Sequence, residues 1–323
     1  MKKIFLLAVS ISSFIYCEGL SGVSYFQYSE DAFSLSRTYL TYKSSISDEL
    51  SFKFQTDVGR VGEDYRFTAF LKKAQLDWSV SDCMKISMGL IGMNMFNVQE
   101  KTWGNRFIAK SAMDANNFSS SADLGFSITK DFKMVTANLT MTNGEGYKNM
   151  DVDENSKISL QLLHGEKRLD KNNGYNVGLV HSKVKSDKIL AIDNDDEIPG
   201  TNTSVTGLFG GWAYDNYLRM GAEYNTKTID TEGVSSDLNA VLTSLYFNYD
   251  LNSKVSTFIR LDDYDPNDDS VSTMDEKNTM MFGFVWSPTK GLTICPNITK
   301  TTEWISDKEK SNSEFAMNFQ FKF

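Results

Sequence analysis

The feature that most constrains this chain is the alternation of apolar and polar residues in about sixteen separate segments. A period of two places successive side chains on opposite faces of a β-strand. The clearest example is residues 313–323, where every second residue is large and apolar: Phe315, Met317, Phe319, Phe321 and Phe323. One apolar and one polar face along each strand suits a sheet with lipid on one side and water on the other.

The alternating segments predict the positions of the strands. They lie at residues 21–28, 32–43, 49–58, 68–79, 83–92, 120–129, 132–142, 156–165, 174–183, 203–213, 216–226, 238–250, 253–263, 278–287, 290–299 and 313–323.

The connections between these strands alternate in length. Short turns follow the even strands, at residues 44–48, 80–82, 130–131, 214–215, 251–252 and 288–289, with a longer exception at 166–173. Long polar loops follow the odd strands, at residues 59–67, 93–119, 143–155, 184–202, 227–237, 264–277 and 300–312, with a short exception at 29–31. Short periplasmic turns and long extracellular loops are typical of outer-membrane barrels. The sequence therefore predicts an all-β fold, a transmembrane antiparallel β-barrel of about sixteen strands.

The first residues predict export from the cytoplasm. Residues 1–17 resemble a signal peptide, with two lysines followed by an apolar stretch from Ile4 to Tyr16. Residues 18–323 then form a single barrel domain. Beyond the signal peptide no apolar run approaches the roughly 20 residues that a membrane helix needs. Membrane spanning must therefore be by strands, because only helices and closed barrels satisfy their backbone groups in lipid.

The overall charge and the cysteines exclude several classes of partner. A net charge of -9 and a pI near 4.9 argue against nucleic acid. Cys83 and Cys295 lie far apart in sequence, so no disulfide framework is predicted. The acidic run at residues 193–197 could bind calcium through its oxygens, but it lacks a regular ligand spacing, and a solvated loop is the alternative. We expect no cofactor and no metal.

The alternation also assigns inward and outward side chains. The inward set is polar: Arg37, Lys53, Gln55, Lys73, Asp77, Lys85, Asp123, Thr136, Asn138, Lys157, Gln161, Arg219, Glu223, Arg260 and Asp262. Its basic members would favour anions by local focusing of the field. Alternatively, they pair with the lumen carboxylates in a neutral, solvated wall. Aromatic residues near the short turns predict a girdle at the membrane interface: Tyr42, Trp78, Trp212, Tyr249 and Trp286.

The longest connection, residues 93–119, is the third outer loop. In general porins this loop folds into the barrel and narrows the channel. By that resemblance Arg106 and Lys110 would project into the constriction, while Trp103 and Phe107 would pack the loop against the wall. A charged ring at the narrowest point selects ions by sign.

Arg106 has a second possible role, because a salt bridge to a lumen carboxylate such as Asp123 would pin the loop. Both roles are compatible. The residues predicted to line the channel or its constriction are Arg37, Lys53, Lys73, Arg106, Lys110, Asp123, Arg219 and Arg260.

Seven strings, in this order, resemble the phosphate-selective porin family, the O and P type porins. They are FSLSRTYLTYK (33–43), FQTDVG (54–59), LKKAQLDW (71–78), WGNRFI (103–108), SADLG (121–125), NGEGYK (143–148) and FIRLDDYDPN (258–267). The resemblance implies a sixteen-stranded homotrimeric barrel for passive diffusion, in which a ladder of arginine and lysine carries phosphate. Arg37, Arg106 and Arg260 fall within matched strings, whereas the constriction loop carries no dense basic run.

These observations predict a water-filled channel in the bacterial outer membrane for small hydrophilic solutes and ions, with phosphate or other anions as candidates and membrane lipid around it. One alternative is a barrel enzyme of the lipase or protease type. His181 and Ser182 are neighbours in a strand and so face opposite sides, which prevents them from acting as a dyad. The other alternative is a non-conducting structural or adhesive barrel, which is disfavoured because about sixteen strands leave an aqueous bore.

Overall fold

The computed structural model describes residues 19–60, 66–149, 153–190, 197–215, 217–268, 276–305 and 308–323. The predicted signal peptide at residues 1–17 lies outside these ranges. Most of the acidic run considered for calcium, residues 193–196, also lies outside them. Glu197, the described end of that run, pairs with Lys188 at 2.5 Å.

Sixteen of the eighteen strands in the described residues close into one antiparallel barrel. In chain order the strands are β1 (Leu20–Ser29), β2 (Ala32–Ser45), β3 (Leu50–Arg60), β4 (Phe67–Ser81), β5 (Met84–Gly92), β6 (Ala122–Phe132), β7 (Val135–Thr142), β8 (Lys157–Gly165), β9 (Gly174–Ser186), β10 (Ile189–Leu190), β11 (Glu197–Ile198), β12 (Thr201–Tyr214), β13 (Leu218–Thr231), β14 (Leu238–Asn252), β15 (Val255–Asp265), β16 (Lys277–Thr289), β17 (Leu292–Ile305) and β18 (Lys308–Lys322). Strands β10 and β11 form a separate small hairpin within the fifth outer loop.

The barrel closes where the first strand pairs with the last. Phe26 of β1 lies opposite Phe319 of β18 in the antiparallel register. Along β18 the predicted faces are confirmed, since Phe321 is exposed on the outer surface whereas Asn318 and Gln320 are buried on the inner one. Closure gives each barrel strand two neighbours, so the backbone groups are paired within the ring. None of the helices in the described ranges has the length and apolar character needed to cross a membrane.

The predicted rhythm of turns and loops is confirmed with one correction. Residues 300–312 were expected to form a long polar loop, but β17 continues to Ile305 and β18 begins at Lys308. Thr302 pairs with Ser311 in this extension. Outside the lipid both faces of a hairpin can be polar, so the alternation disappears while the backbone pairing continues. Loss of alternation therefore ended the predicted strands too early.

The outer surface carries the expected apolar belt. Large side chains that the alternation places outward are exposed: Leu124, Phe126, Leu139, Met141, Leu245, Phe247, Met280, Phe282 and Phe284. The aromatic residues expected near the short turns are exposed as well: Tyr42, Trp78, Trp212, Tyr249 and Trp286. Tyr214, Tyr217 and Tyr249 meet edge to face in succession at that rim, with centroids 5.8 Å apart in each pair. Such amphipathic rings fit the boundary between lipid and water.

Candidate functional site

The third outer loop, residues 93–121, folds into the barrel as predicted. It carries two short helices, α1 (Asn97–Trp103) and α2 (Ala112–Ala115). Helix α1 contacts β12 and β13, and α2 contacts β14, on the far side of the lumen from the strands that the loop connects. Gly104 ends α1 in the left-handed region at φ 76° and donates its N–H to the carbonyl of Glu100. The left-handed φ favours glycine at this position, where a Cβ would also lie 2.5 Å from a guanidinium nitrogen of Arg219.

An apolar surface on one side of the wall holds the constriction loop. Inward positions of β8, β9, β12 and β14 that face the loop are apolar: Leu163, Val180, Val205, Phe209 and Leu242. The loop contributes the matching buried side chains: Met95, Val98, Ala112, Met113 and Phe118. Burial of this surface removes apolar area of both the loop and the wall from water. Each Å² of apolar area removed stabilises the packed loop by roughly 25 cal/mol. This side of the lumen is therefore closed by packing.

Trp103 and Phe107 pack the loop against the wall, as the sequence predicted. The Trp103 side chain is fully buried, with ring centroids 5.8 Å from Tyr246 and 5.4 Å from Phe258. Its indole N–H donates to the carbonyl of Ala109 at 2.9 Å. A buried indole nitrogen needs such a partner, and here the partner lies within the same loop.

Arg260 was predicted to line the channel, and this prediction is wrong. Its side chain is 1% exposed, because its inward position on β15 lies beneath the loop. Nε and Nη2 donate to the two carboxylate oxygens of Asp262 at 2.9 and 2.7 Å, and Nη1 donates to the carbonyl of Lys110 at 2.6 Å. The guanidinium also lies 5.0 Å from the centroid of the Trp103 ring. Arg260 therefore anchors the loop.

Asp123 and Arg219 also lie off the open part of the lumen. Asp123 is buried, and its carboxylate accepts the N–H groups of Leu124 and Gly144 at 2.8 Å each. Arg219 lies behind α1 and donates from Nη2 to the carbonyl of Trp103 at 3.2 Å. Both residues face inward as predicted. Burial and the N–H of Gly144 hold Asp123 away from the open lumen, whereas Arg219 is partly buried and lines a separate cavity of about 190 Å³.

Arg106 forms salt bridges, but with carboxylates of its own loop and not with Asp123. Nη1 lies 2.8 Å from Glu100 and 2.6 Å from Asp114. Burial alone would lower the pKa of Arg106, but Glu100, Tyr39 and Asp114 outweigh it and hold that pKa well above the usual range. For Asp114, burial would raise the pKa, but the charges of Arg106 and Lys110 lower it overall. The loop thus fixes its own arginine.

Two cavities that share Arg106 and Ser121 in their linings are together called the open path. The outer cavity, of about 400 Å³, is lined by five basic and two acidic residues among those described: Arg37, Arg106, Lys110, Lys148, Lys157, Asp114 and Glu145. The inner cavity, of about 640 Å³, has ten basic and two acidic residues in the described lining: Lys53, Lys72, Lys73, Lys85, Lys101, Arg106, Lys167, Arg168, Lys171, Lys322, Glu100 and Asp170. Arg106 belongs to both cavities and so marks their boundary.

The lumen carboxylates neutralise only part of this basic lining. Glu223 and Asp262 are buried on the side covered by the loop. Asp57 is fully buried and is bound by Arg37 and Lys72. Within the open path the balance is therefore partial. Asp57, Asp77, Glu100 and Asp114 pair with some of the basic side chains, and the basic residues of the lining remain in excess.

Sequence reasoning missed Lys72, which faces inward beside Lys73. The register between β3 and β4 shifts at this point, since Gln55 lies opposite Lys73 and Thr56 lies opposite Leu71. Lys72 is the extra residue of a β-bulge, which lets two consecutive side chains face the same way. The signal is present in the sequence, because the outward apolar positions change parity between Leu71 and Ala74. The inner cavity also receives lysines from the turn after β8, which had no assigned role.

Comparisons with known proteins show the fold of this chain. No protein-family model and no curated protein matches the sequence. Among solved structures, OmpT, an outer membrane protein of Vibrio cholerae in a trimer form, matches with a TM-score of 0.65 at 11% identity, covering 94% of this chain and 98% of that chain. The anion-selective porin from Comamonas acidovorans matches with a TM-score of 0.63 at 12% identity over the same shares. Pseudomonas putida OprB matches with 0.59 at 10% identity, covering 94% and 93%.

At these identities the likeness establishes the fold. A closed barrel of sixteen strands with an apolar outer belt and an inward-folded third loop is a porin-type barrel of the bacterial outer membrane. The resemblance of the seven strings to phosphate-selective porins goes beyond this finding and stays a prediction.

Proposed function

We propose that this protein is a porin that lets small hydrophilic solutes and ions diffuse passively across the outer membrane, with a preference for anions. The observation that carries the proposal is the lining of the inner cavity, where the described basic residues outnumber the acidic ones by ten to two. The fold is shared with the anion-selective porin from Comamonas acidovorans, which supports the same direction.

The physical basis is the field inside a narrow, partly desolvated lumen. Two unit charges 4 Å apart interact by about 1 kcal/mol in bulk water and about 4 kcal/mol at an effective dielectric constant of 20. Low-dielectric walls lined by one sign of charge concentrate the opposite ion. Because the lysines are spread along the path, an anion meets several weak sites in succession, which permits entry and release.

Phosphate is one candidate solute, on the strength of the matched strings. The basic residues here are spread along the wall, and only Lys101, Arg106 and Lys110 lie within the constriction loop. We therefore expect phosphate to pass as one of several anions. Comparing wild-type conductance in phosphate with that in chloride tests this expectation, and a conductance far lower in phosphate would limit the proposal to small monovalent anions.

A homotrimer is proposed from the family resemblance and from the trimer form of the Vibrio cholerae neighbour. The mass of the detergent-solubilised protein, measured by light scattering with the detergent contribution subtracted, tests it. A species three times the mass of the chain is expected. A monomer that conducts would overturn the trimer and leave the channel standing.

The direct test of function is the reversal potential in planar bilayers under a potassium chloride gradient. Wild-type protein is expected to give the sign of anion preference, and Arg106→Glu should reduce or invert it. Lys254→Glu, in the exposed turn after β14, makes the same change of charge outside the open path and serves as the matched control. Cation preference in the wild type, or no change in Arg106→Glu, would overturn the proposal.

We propose that no chemical step accompanies transport. His181 is exposed on the outer face, with Nδ1 2.9 Å from the hydroxyl of Thr206, whereas Ser182 is buried on the inner face. The two side chains therefore do not form a nucleophile and base pair. Lipid or peptide hydrolysis that is lost in His181→Ala would contradict this. A barrel that never conducts in bilayers would favour a structural role.

A further inference from the structure

Four of the matched strings meet at one fully buried carboxylate near the outer mouth. Asp57 of β3 accepts from Nη1 of Arg37 on β2, with 3.1 Å to each oxygen. The ammonium group of Lys72 on β4 lies 3.6 Å away. The hydroxyl of Tyr147, from the loop after β7, donates to the same carboxylate at 2.6 Å. Ninety residues separate Tyr147 from Asp57 in the chain.

Tyr147 reaches Asp57 because its loop folds inward. We call residues 143–149 the lip. At its start the N–H of Gly144 donates to the carboxylate of Asp123, and the N–H of Tyr147 donates to the carbonyl of Ala122 at 3.0 Å. These bonds tie the lip to β6, whereas the Tyr147 hydroxyl ties its tip to β3. The lip is therefore held at two points on different strands.

The Tyr147 ring is also fixed by its surroundings. It meets the ring of Phe70 edge to face at 6.3 Å, and the Lys72 ammonium lies 5.0 Å from its centroid. Burial, together with the bond to Asp57, raises the pKa of Tyr147 above its ordinary value, so the phenol remains a donor at neutral pH. Gly146 at φ 84° lets the lip lie against Ser120, where a Cβ would come within 2.7 Å of the serine Cβ.

The lip lines the outer cavity together with the constriction loop. Tyr147 and Lys148 border the same space as Arg106 and Lys110. The constriction loop is anchored to β8, β9 and β12–β15, whereas the lip is anchored to β3 and β6. Apart from the contact of Gly146 with Ser120, the two elements are anchored to different strands. Movement of the lip would therefore widen the outer mouth while the constriction loop stays packed on its own wall.

We propose that the lip is a second constriction element and that the bond from Tyr147 to Asp57 sets the width of the outer mouth. Tyr147 is a positioning residue, since it acts by holding the lip and need not touch the solute. The effect on solute size rests on the proposed channel function, whereas the latching of the lip does not.

The test compares Tyr147→Phe and Tyr147→Ala with the wild type. The first variant removes only the hydroxyl, and the second also removes the ring. Tyr224→Phe, exposed on the outer face of β13, is the matched control for loss of one hydroxyl. The size limit is measured in bilayers as the smallest polyethylene glycol that leaves the channel current unblocked. We expect both Tyr147 variants to admit larger polymers, Tyr147→Ala more than Tyr147→Phe, and the control to match the wild type.

A second measurement does not require conduction. Amide hydrogen exchange of residues 143–149 should accelerate in both Tyr147 variants, while exchange in residues 93–118 stays at the wild-type rate. Unchanged exchange in both variants would overturn the latch. Faster exchange with an unchanged size limit would overturn the claim that the latch sets the width. If the wild type fails to conduct, the proposed function falls, and exchange still decides whether Tyr147 holds the lip.

Discussion

The inner wall formed by β1–β6 differs from the inner wall formed by β8, β9 and β12–β15. Both halves show the same alternation and the same apolar outer belt. Inside, the second half presents Val180, Phe209 and Leu242 to the constriction loop and is covered by it. The first half presents Lys53 and Lys73 to an open cavity. The two halves thus share an apolar outer face, whereas their inner faces differ: one is apolar and covered, and the other is basic and open.

The contrast shows that the net charge of the whole chain does not give the charge of the lumen, which depends on the residues that line it. The chain has a net charge of -9, yet its open path is basic. Two carboxylates of the lumen hold other elements in place. Asp262 binds Arg260 beneath the constriction loop, and Asp57 binds Tyr147 of the lip. Asp262 and its cation Arg260 lie beneath the loop, away from the solute, whereas Asp57 offsets part of the charge of Arg37 and Lys72 in the path lining.

The largest effect is expected from removing the main anchor of the covered half. Trp103→Ala should cost about 3–5 kcal/mol of stability, because it empties a fully buried site between Tyr246 and Phe258. Release of the loop should also raise the single-channel conductance. Urea unfolding in detergent and bilayer recording measure the two effects. Trp286→Ala, on the outer face, is the control, and an equal loss of stability there would remove the distinction between the halves.

Breaking the buried ion pair of the covered half should rank next. Arg260→Met leaves Asp262 buried without its cation, at a cost of about 3 kcal/mol, the lower end for broken buried pairs, because Ser244 still donates to the carboxylate. The double variant Arg260→Met/Asp262→Leu should recover most of this loss. Unfolding midpoints at constant m-value would show it. A double variant no more stable than the single would mean that Arg260 acts mainly through the carbonyl of Lys110.

The open half should behave in the opposite way. Within the described residues Lys73 takes part in no ion pair, so Lys73→Gln should change stability by no more than about 0.5 kcal/mol. The same substitution should shift the reversal potential toward cations, since one charge leaves the open path. Arg260→Gln is the comparison: it should lower the stability and leave the reversal potential unchanged. A large stability loss in Lys73→Gln would show that the open wall is packed in the same way as the covered one.

Acid should produce the smallest effect. It acts on Asp114 of the constriction loop, which pairs with Arg106, a residue that lines both cavities. The lowered pKa of Asp114 keeps it ionised, so its pair with Arg106 is fully present above the ordinary value of 3.8 and is lost only as pH falls through the lower folded value. We expect this group to leave selectivity unchanged from pH 7 to about 5. Below pH 3.8, loss of its charge should strengthen anion preference.

Asp114→Asn separates this step from the titration of neighbouring carboxylates such as Glu100. The variant should show the stronger anion preference already at neutral pH, and its response to acid should be smaller than that of the wild type. Reversal potentials recorded between pH 3 and pH 7 compare the two proteins. An identical acid response in both would assign the titration to another group.

The strands, their faces and most connections could be predicted from the sequence, because alternation and turn parity are local patterns. The boundary of β17 was missed, since polar residues outside lipid lose the alternation while still pairing. The sequence could not predict that Arg260 is covered and Lys73 is open to the cavity, because both are basic residues at inward positions. Which one is covered depends on where a loop more than 100 residues away in sequence from β15 comes to rest.

Some of the missing information is nevertheless present as sequence patterns. Inward apolar residues at Val180, Val205 and Leu242 break the expected polar face and indicate which wall is covered. The parity change after Leu71 indicates the bulge that turns Lys72 inward. By contrast, no local pattern links Tyr147 to Asp57, because their contact is created only when the lip folds across the barrel.

The most direct test of the divided lumen is the accessibility of single cysteines during conduction. In a Cys83→Ser/Cys295→Ala background, Lys73→Cys and Val180→Cys place a thiol at inward positions of the two halves. A negatively charged methanethiosulfonate reagent should change the current through Lys73→Cys and leave Val180→Cys unmodified. Equal modification of both thiols would contradict the account, because solute would then reach the wall that the constriction loop is held to cover.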